Sequence, residues 1–315
     1  MKTKEMRAAY CDELMELAAT NDRIIDVEAD LMKASGTVRF KDKFPKQSVD
    51  CGIAEADMIG IASGLSNVGF IPFCATFGCF ASRRVFDQFF LSSNYAQLSV
   101  NLTGTDPGIT AAFNGGTHMP FEDIGLMRNI PNLKIIEPSD ATSVRAFTKL
   151  NSETEGCSYT RLHRKAMPVI YDDDEIFEYG KGKVLRDGDD CVIIALGAVM
   201  VNEALKAADE LKEQGIDASV IDILSIKPLD EELILKYAER TKNVITCENH
   251  QVHTGLASEV EMLLFRKKLL CDMRSIGVHD EFGQVGTVDF LLDYYRMSAK
   301  YIVEAALDMK QIKTK

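Results

Sequence analysis

Short apolar runs alternate with amphipathic stretches along most of the chain, and that alternation defines the predicted elements. Over residues 4–19, Met6, Tyr10, Leu14 and Leu17 recur at helical spacing and predict a helix with one apolar face. Residues 24–27 predict a strand, 54–67 a helix ending at Gly69, and 70–75 the next strand. A helix through 86–91, a strand over 98–102, a short helix over 122–128 and a strand over 133–136 follow. Pro138-Ser139-Asp140 then opens a helix that runs to Leu150. Strand after helix after strand is the pattern of a parallel sheet covered on both faces, the doubly wound α/β class.

The rhythm breaks over residues 166–189, where Asp172-Asp173-Asp174-Glu175 and Arg186-Asp187-Gly188-Asp189 read as polar turns of a linker. A second α/β unit follows, with strands over 191–195, 219–223, 244–247 and 275–278 and a helix over 201–214 stopped by Gly215. The expected organisation is two doubly wound domains, 1–165 and 190–315, joined by 166–189. Gly188 and Gly197 read as turn glycines, because neither G-x-G-x-x-G nor a P-loop pattern is present.

With 315 residues, 46% of them hydrophobic, the chain has ample material for two cores. A formal charge of −12 argues against nucleic acid as a partner, although it leaves room for local basic sites. No run approaches the roughly 18 apolar residues of a membrane span, and the start Met-Lys-Thr-Lys-Glu-Met-Arg lacks an apolar signal core. The eight cysteines are scattered without a C-x-x-C pair, so neither a disulfide framework nor a zinc site is expected. A reducing, cytoplasmic setting fits all of this.

Four features carry candidate chemistry. Glu55 stands among Gly, Ile and Ala in Asp50–Leu65, where ionising a carboxylate is unfavourable. It is either functional or a solvated helix-start glutamate stabilised by the dipole. Phe77 and Phe80 lie three apart at a strand-to-helix junction, as core anchors or as an aromatic platform. Asn114-Gly115-Gly116-Thr117-His118 is a glycine-containing loop that carries a histidine, a ligand contact or a surface residue. Arg7, Arg161 and Arg164 sit at element ends, where a guanidinium fork can grip a phosphate or carboxylate or simply stay solvated. His250 and His253 beside Glu248 suggest a metal pair less than a satisfied interface cluster.

Taken in order, these features resemble the pyrimidine-binding and C-terminal domains of transketolase, a thiamine diphosphate enzyme. Asp50–Leu65 resembles the family's glutamate motif, and Thr76–Gln88 the aromatic motif ending in Phe-Asp-Gln. Gly116-Thr117-His118, Glu122-Asp123 and Arg128-Asn129-Ile130-Pro131 resemble its substrate loop and the helix beyond. Ile226-Lys227-Pro228-Leu229-Asp230 and Glu248-Asn249-His250 resemble its last domain. The Gly-Asp-Gly segment with which such enzymes hold the metal-diphosphate does not occur here. The resemblance therefore implies the C-terminal subunit of a split transketolase. Its partner would be the N-terminal subunit, in an α2β2 assembly, carrying the diphosphate and Mg²⁺ (or Ca²⁺), with no metal ligand on this chain.

The resemblance also implies roles. Glu55 would hydrogen-bond N1′ of the aminopyrimidine, its apolar neighbours leaving it able to donate. Phe80 would stack on that ring, Phe77 would line the pocket, and Asp30 would lie near the cofactor and the subunit contact. His118 would contact the sugar near the reacting carbons as proton relay or positioning donor. Arg7 and Arg161 match arginines that clamp the terminal phosphate of a sugar phosphate, and Arg164 is a lesser match. Two positions depart from the family pattern: Asp106 replaces a substrate-contacting histidine, and Asn114 replaces an aspartate that contacts sugar hydroxyls. They imply a ketose other than, or besides, xylulose 5-phosphate. The β subunit of a 2-oxoacid dehydrogenase E1 component shares both domains and the glutamate, but Glu122-Asp123 and Arg128-Asn129-Ile130-Pro131 favour transketolase. A deoxyxylulose phosphate synthase fragment is less consistent with the chain, because that enzyme is normally one longer polypeptide. A non-catalytic scaffold of the same fold would keep the architecture without the chemistry.

Overall fold

The computed structural model describes residues 2–313, and among them fourteen strands build three sheets. Those of the first half are β1 (Thr3–Glu5), β2 (Ile24–Glu28), β3 (Ser48–Asp50), β4 (Ile71–Phe77), β5 (Asn101–Thr105), β6 (Lys134–Ile136), β7 (Ser158–Leu162) and β8 (Ala166–Pro168). The second half supplies β9 (Lys183–Arg186), β10 (Cys191–Ala195), β11 (Ala218–Asp222), β12 (Ser225–Lys227), β13 (Asn243–Gln251) and β14 (Asp272–Val278).

The larger sheet runs β12-β6-β7-β5-β4-β2-β3 and is parallel except where β12 joins β6. The smaller runs β14-β13-β10-β11-β9 and is parallel except at β9. The fold is therefore the two-sheet α/β architecture that the alternating pattern predicts. Its central strands are buried along their whole length, as parallel strands with helices on both faces must be.

Two expectations are revised. The stretch 166–189 is not bare linker: β8 pairs with β1, and β9 forms the edge of the smaller sheet. The second half also lends β12 to the first sheet, so the two units share a hydrogen-bonded edge.

Between the sheets lies a charged junction with no access to water. Arg161 on β7 is fully buried, and its guanidinium meets Asp123 at 2.8 Å, Glu137, and the Asn249 carbonyl at 3.0 Å. Burial alone would lower its pKa, but Asp123 and Glu137 reverse this and hold it above its ordinary value. Burial pushes Glu137 up to about 7 against the pull of Arg161. Tyr159 donates to Asp123 at 2.7 Å, and Glu248 accepts from the backbone of Leu256 and Ala257, capping the helix Leu256–Arg266.

His250 belongs to this junction, 3.7 Å from Asp123 and 3.8 Å from Glu248, while His253 lies at the surface. The pair is thus an interface cluster, with His250 Nδ1 donating to the Gln251 carbonyl at 2.8 Å. Burial pushes the His250 pKa down to about 4, whereas an unfolded histidine titrates near 6.5. A depressed folded pKa means that the neutral ring's stabilisation is complete above 6.5 and is lost as pH falls through 4. Relative to His250→Gln, the wild-type chain should lose about 3 kcal/mol between pH 7 and pH 4. Urea midpoints measured across that range test this, and parallel pH profiles for the two proteins would contradict it.

Candidate active site

The carboxyl ends of parallel strands are where a doubly wound sheet leaves a ligand crevice. Asp30 follows β2, Glu55 lies beyond β3, Phe77 ends β4, Asp106 follows β5 and Arg164 follows β7. Five strand ends thus deliver five candidate side chains to one edge of the larger sheet.

Glu55 opens the helix Glu55–Asn67 and is 5% exposed, which excludes the solvated helix-start reading. Its surroundings are not purely apolar. Arg84 donates to Glu55 Oε1 at 2.8 Å and lays its guanidinium 3.8 Å from the centre of the Phe80 ring. Sequence reasoning missed Arg84. The signal was available, because Phe80 and Arg84 are four residues apart, the helical spacing that brings side chains together.

Phe77 and Phe80 are half-buried with ring centres 5.9 Å apart, so they face the crevice and are not sunk in the core. His118 meets both edge-on, at 5.7 Å from Phe77 and 5.3 Å from Phe80. The His118 loop is held from two sides. Arg83 donates to the Thr117 carbonyl at 3.0 Å and pairs with Glu122 at 3.1 Å. From the second domain, Gly283 packs so closely that a Cβ on Gly116 would lie 2.2 Å from its carbonyl oxygen. Both positions need glycine for that approach. The second domain therefore buttresses the loop that carries His118, a role its own sequence does not advertise.

At the other end of the crevice, Arg164 lies 5.1 Å from the Phe77 ring centre. It engages Asp106 through Nε at 2.6 Å and Nη2 at 2.5 Å. Asp106 is 2% exposed and has φ +56°, a left-handed conformation that aspartate tolerates better than most residues. Burial raises its pKa above the usual carboxylate value, opposed by Arg164, Lys165 and Arg7. Arg7 donates to Glu5 at 2.7 Å and to the Ala34 carbonyl at 3.0 Å, and Arg164 reaches that same carbonyl at 3.4 Å. Asp30 is exposed at the crevice rim, its backbone N–H donating to Asp50. Asn114 is exposed on the loop before His118.

Arg161 is the correction. It belongs to the buried junction described above, and its donors are taken by Asp123, Glu137 and Asn249. A guanidinium without solvent access, each of its three nitrogens already bonded to a protein acceptor, does not clamp a sugar phosphate. Arg164, three residues on, is the arginine that stands at the crevice. Among the described residues, no group of three or more His, Cys, Asp or Glu side chains is arranged to hold a metal ion. No helix among them is long and apolar enough to cross a membrane.

Comparison with known proteins bears on the same two units. The model of the transketolase pyrimidine binding domain matches residues 2–169, and that of the transketolase C-terminal domain matches 180–302. The 6-deoxy-6-sulfo-D-fructose transketolase subunit SqwH of Clostridium sp. (strain MSTE9) is 44% identical, over 98% of this chain and 95% of the relative. A subunit of the apulose-4-phosphate transketolase of Phocaeicola vulgatus is 35% identical, over 96% of each chain. A solved split gene transketolase, described as an inactive beta4 tetramer, superposes with a TM-score of 0.87 at 38% identity. That match covers 96% of this chain and 97% of the other. Such relatives imply a partner subunit, a multimeric assembly and dependence on thiamine diphosphate. The chain belongs to the transketolase family, as the C-terminal subunit of a split enzyme.

Proposed function

We propose that Glu55, Phe77, Phe80 and His118 form the reacting end of the transketolase site, and that Arg7, Arg164, Asp106 and Asn114 form its sugar-tail end. The observation that carries this reading is the unbroken run of contacts from buried Glu55 through Arg84, Phe80, His118 and Phe77 to Arg164. When bound, thiamine diphosphate supplies the nucleophilic carbon that lets a ketose give up its first two carbons, the carbonyl carbon included. The residues present fit its aminopyrimidine. Phe77 and Phe80 offer flat apolar surface, and Glu55 offers a carboxyl, shielded from water, for hydrogen bonding a ring nitrogen. His118, edge-on to both rings, is in reach to hold or relay a proton at a sugar hydroxyl.

Asp30 is assigned to the cofactor side, where the crevice opens to the partner. Exposed apolar residues rim this edge: Ile53 two residues before Glu55, Phe113 beside Asn114, and Phe282 and Val285 behind the His118 loop. Bare apolar groups around a site favour a protein partner there. That partner is the N-terminal transketolase subunit in an α2β2 assembly, bringing the diphosphate and a Mg²⁺ or Ca²⁺ ion. The two domains are assigned to residues 1–165 and 190–315, with β8 of the stretch between them joined to the first and β9 to the second, and the enzyme to the cytoplasm. The donor is a ketose with a terminal anion. Two of the relatives are named for sugars that carry such a group, 6-deoxy-6-sulfo-D-fructose and apulose 4-phosphate.

Reconstitution tests the reading. This chain, mixed with its N-terminal subunit, thiamine diphosphate, Mg²⁺ and a panel of anionic ketoses, should transfer a two-carbon unit to an aldose, and neither polypeptide alone should do so. Lipoamide-linked oxidation of a 2-oxoacid would instead support an E1 component. Cofactor binding without any turnover would support the scaffold.

A further inference from the structure

We propose that Asp106 selects the donor by the charge of its terminal group, favouring a ketose that ends in a sulfonate over one that ends in a phosphate. This rests on the ketol-transfer reading above and adds the class of substrate.

The argument starts from the hydrogen-bonding capacity of Arg164. A guanidinium grips a phosphate best with two parallel N–H donors. Here that edge is already taken, Nε and Nη2 both meeting the Asp106 carboxylate, while Nη1 faces the Ala34 carbonyl. Arg7 is similarly committed, to Glu5 and to Ala34. The tail end therefore pairs each arginine with its own carboxylate. Lys165 also acts on Asp106, and Lys33 lines the same pocket as Arg7 and Glu5.

A sulfonate carries one negative charge throughout the neutral range, whereas a phosphate monoester carries about −1.5 to −2 at pH 7. The second charge of a phosphate would sit close to Asp106, which is shielded from water and meets it in a low-dielectric setting. A repulsive element built against the wrong ligand is an effective source of specificity. Asp106 thus sets a buried anion at the end of the crevice assigned to the sugar's tail. Asp106 is in this way a specificity determinant that acts both directly and through its hold on Arg164.

The test uses the reconstituted pair with 6-deoxy-6-sulfo-D-fructose and D-fructose 6-phosphate as donors and D-ribose as a common neutral acceptor. The donors differ only at the tail. Wild type should prefer the sulfonate by about tenfold or more in kcat/KM. Asp106→Asn, which suits the left-handed backbone, should close that gap by lowering KM for the phosphate donor relative to KM for the sulfonate donor. Asp106→His should move the ratio the same way. A wild-type preference for phosphate overturns the role of Asp106 whatever the variants do, and so does a ratio that neither substitution moves. Turnover of neither donor overturns the substrate reading beneath it as well.

Discussion

Replacing Glu55 with alanine is expected to lower kcat of the assembled enzyme by about 10²–10⁴-fold while leaving the chain folded. The size of the effect follows from what the carboxyl does that nothing nearby replaces. It is 5% exposed, it opens a helix at the carboxyl edge of the sheet, and its partner Arg84 lies over the flat Phe80 ring. The fold should survive because Glu55 contributes little to it. Its ion-pair partner Arg84 has a side chain 48% exposed, and such half-solvated pairs add at most about 1 kcal/mol. The favourable carboxylate at the helix start adds roughly 0.3–1 kcal/mol more. Turnover at saturating cofactor, with far-ultraviolet circular dichroism as the folding control, separates the two effects. Glu55→Gln keeps the shape and a hydrogen-bonding atom, so it should retain more activity than the alanine variant. An alanine variant that keeps a tenth or more of wild-type kcat would remove Glu55 from the chemistry.

Glu55 stood out because a carboxylate directly after Gly52-Ile53-Ala54 breaks the local pattern, although nothing local says that it is buried while Asp57 of the same turn is exposed. Strand β10 is predicted over the residues it occupies, since a fully buried central strand is continuously apolar. Strand β5 was harder. It runs Asn101–Thr105, three residues later than expected, because its polar positions are buried in the sheet while Leu98 and Val100 drew the apolar window forward. Arg161 shows the sharper limit. It and Arg164 look alike in Arg161-Leu162-His163-Arg164, both basic and both at the end of a strand. What separates them is that Asp123 and Glu137, distant in the chain, close on the first, while Asp106 and Phe77 close on the second. Pairings set by sheet order leave no local mark. Nor does the close approach of Gly283 to Gly116, which gives the second domain its hold on the His118 loop.

Arg161→Leu is expected to destabilise the chain by about 3–5 kcal/mol, the cost of leaving buried charges without their partner. Asp123 would retain the Tyr159 hydroxyl, but Glu137 and the Asn249 carbonyl would lose the donors they now have. The deficit should depend on pH with a definite sign. Glu137 is already pushed up to about 7 by burial, and loss of Arg161 removes the charge that opposes this. A carboxyl with a raised folded pKa contributes stability that is full below its unfolded value and is lost as pH rises through the folded one. The variant should therefore fall further behind wild type at pH 8 than at pH 5.5, as read from urea unfolding midpoints. A phosphate-clamping role predicts the opposite pattern, a wild-type midpoint with a raised KM for the donor. Replacing Arg161, Asp123 and Glu137 together with apolar residues of matched volume should recover most of the lost stability, because the penalty comes from the unpaired charges and not from the absence of the pair.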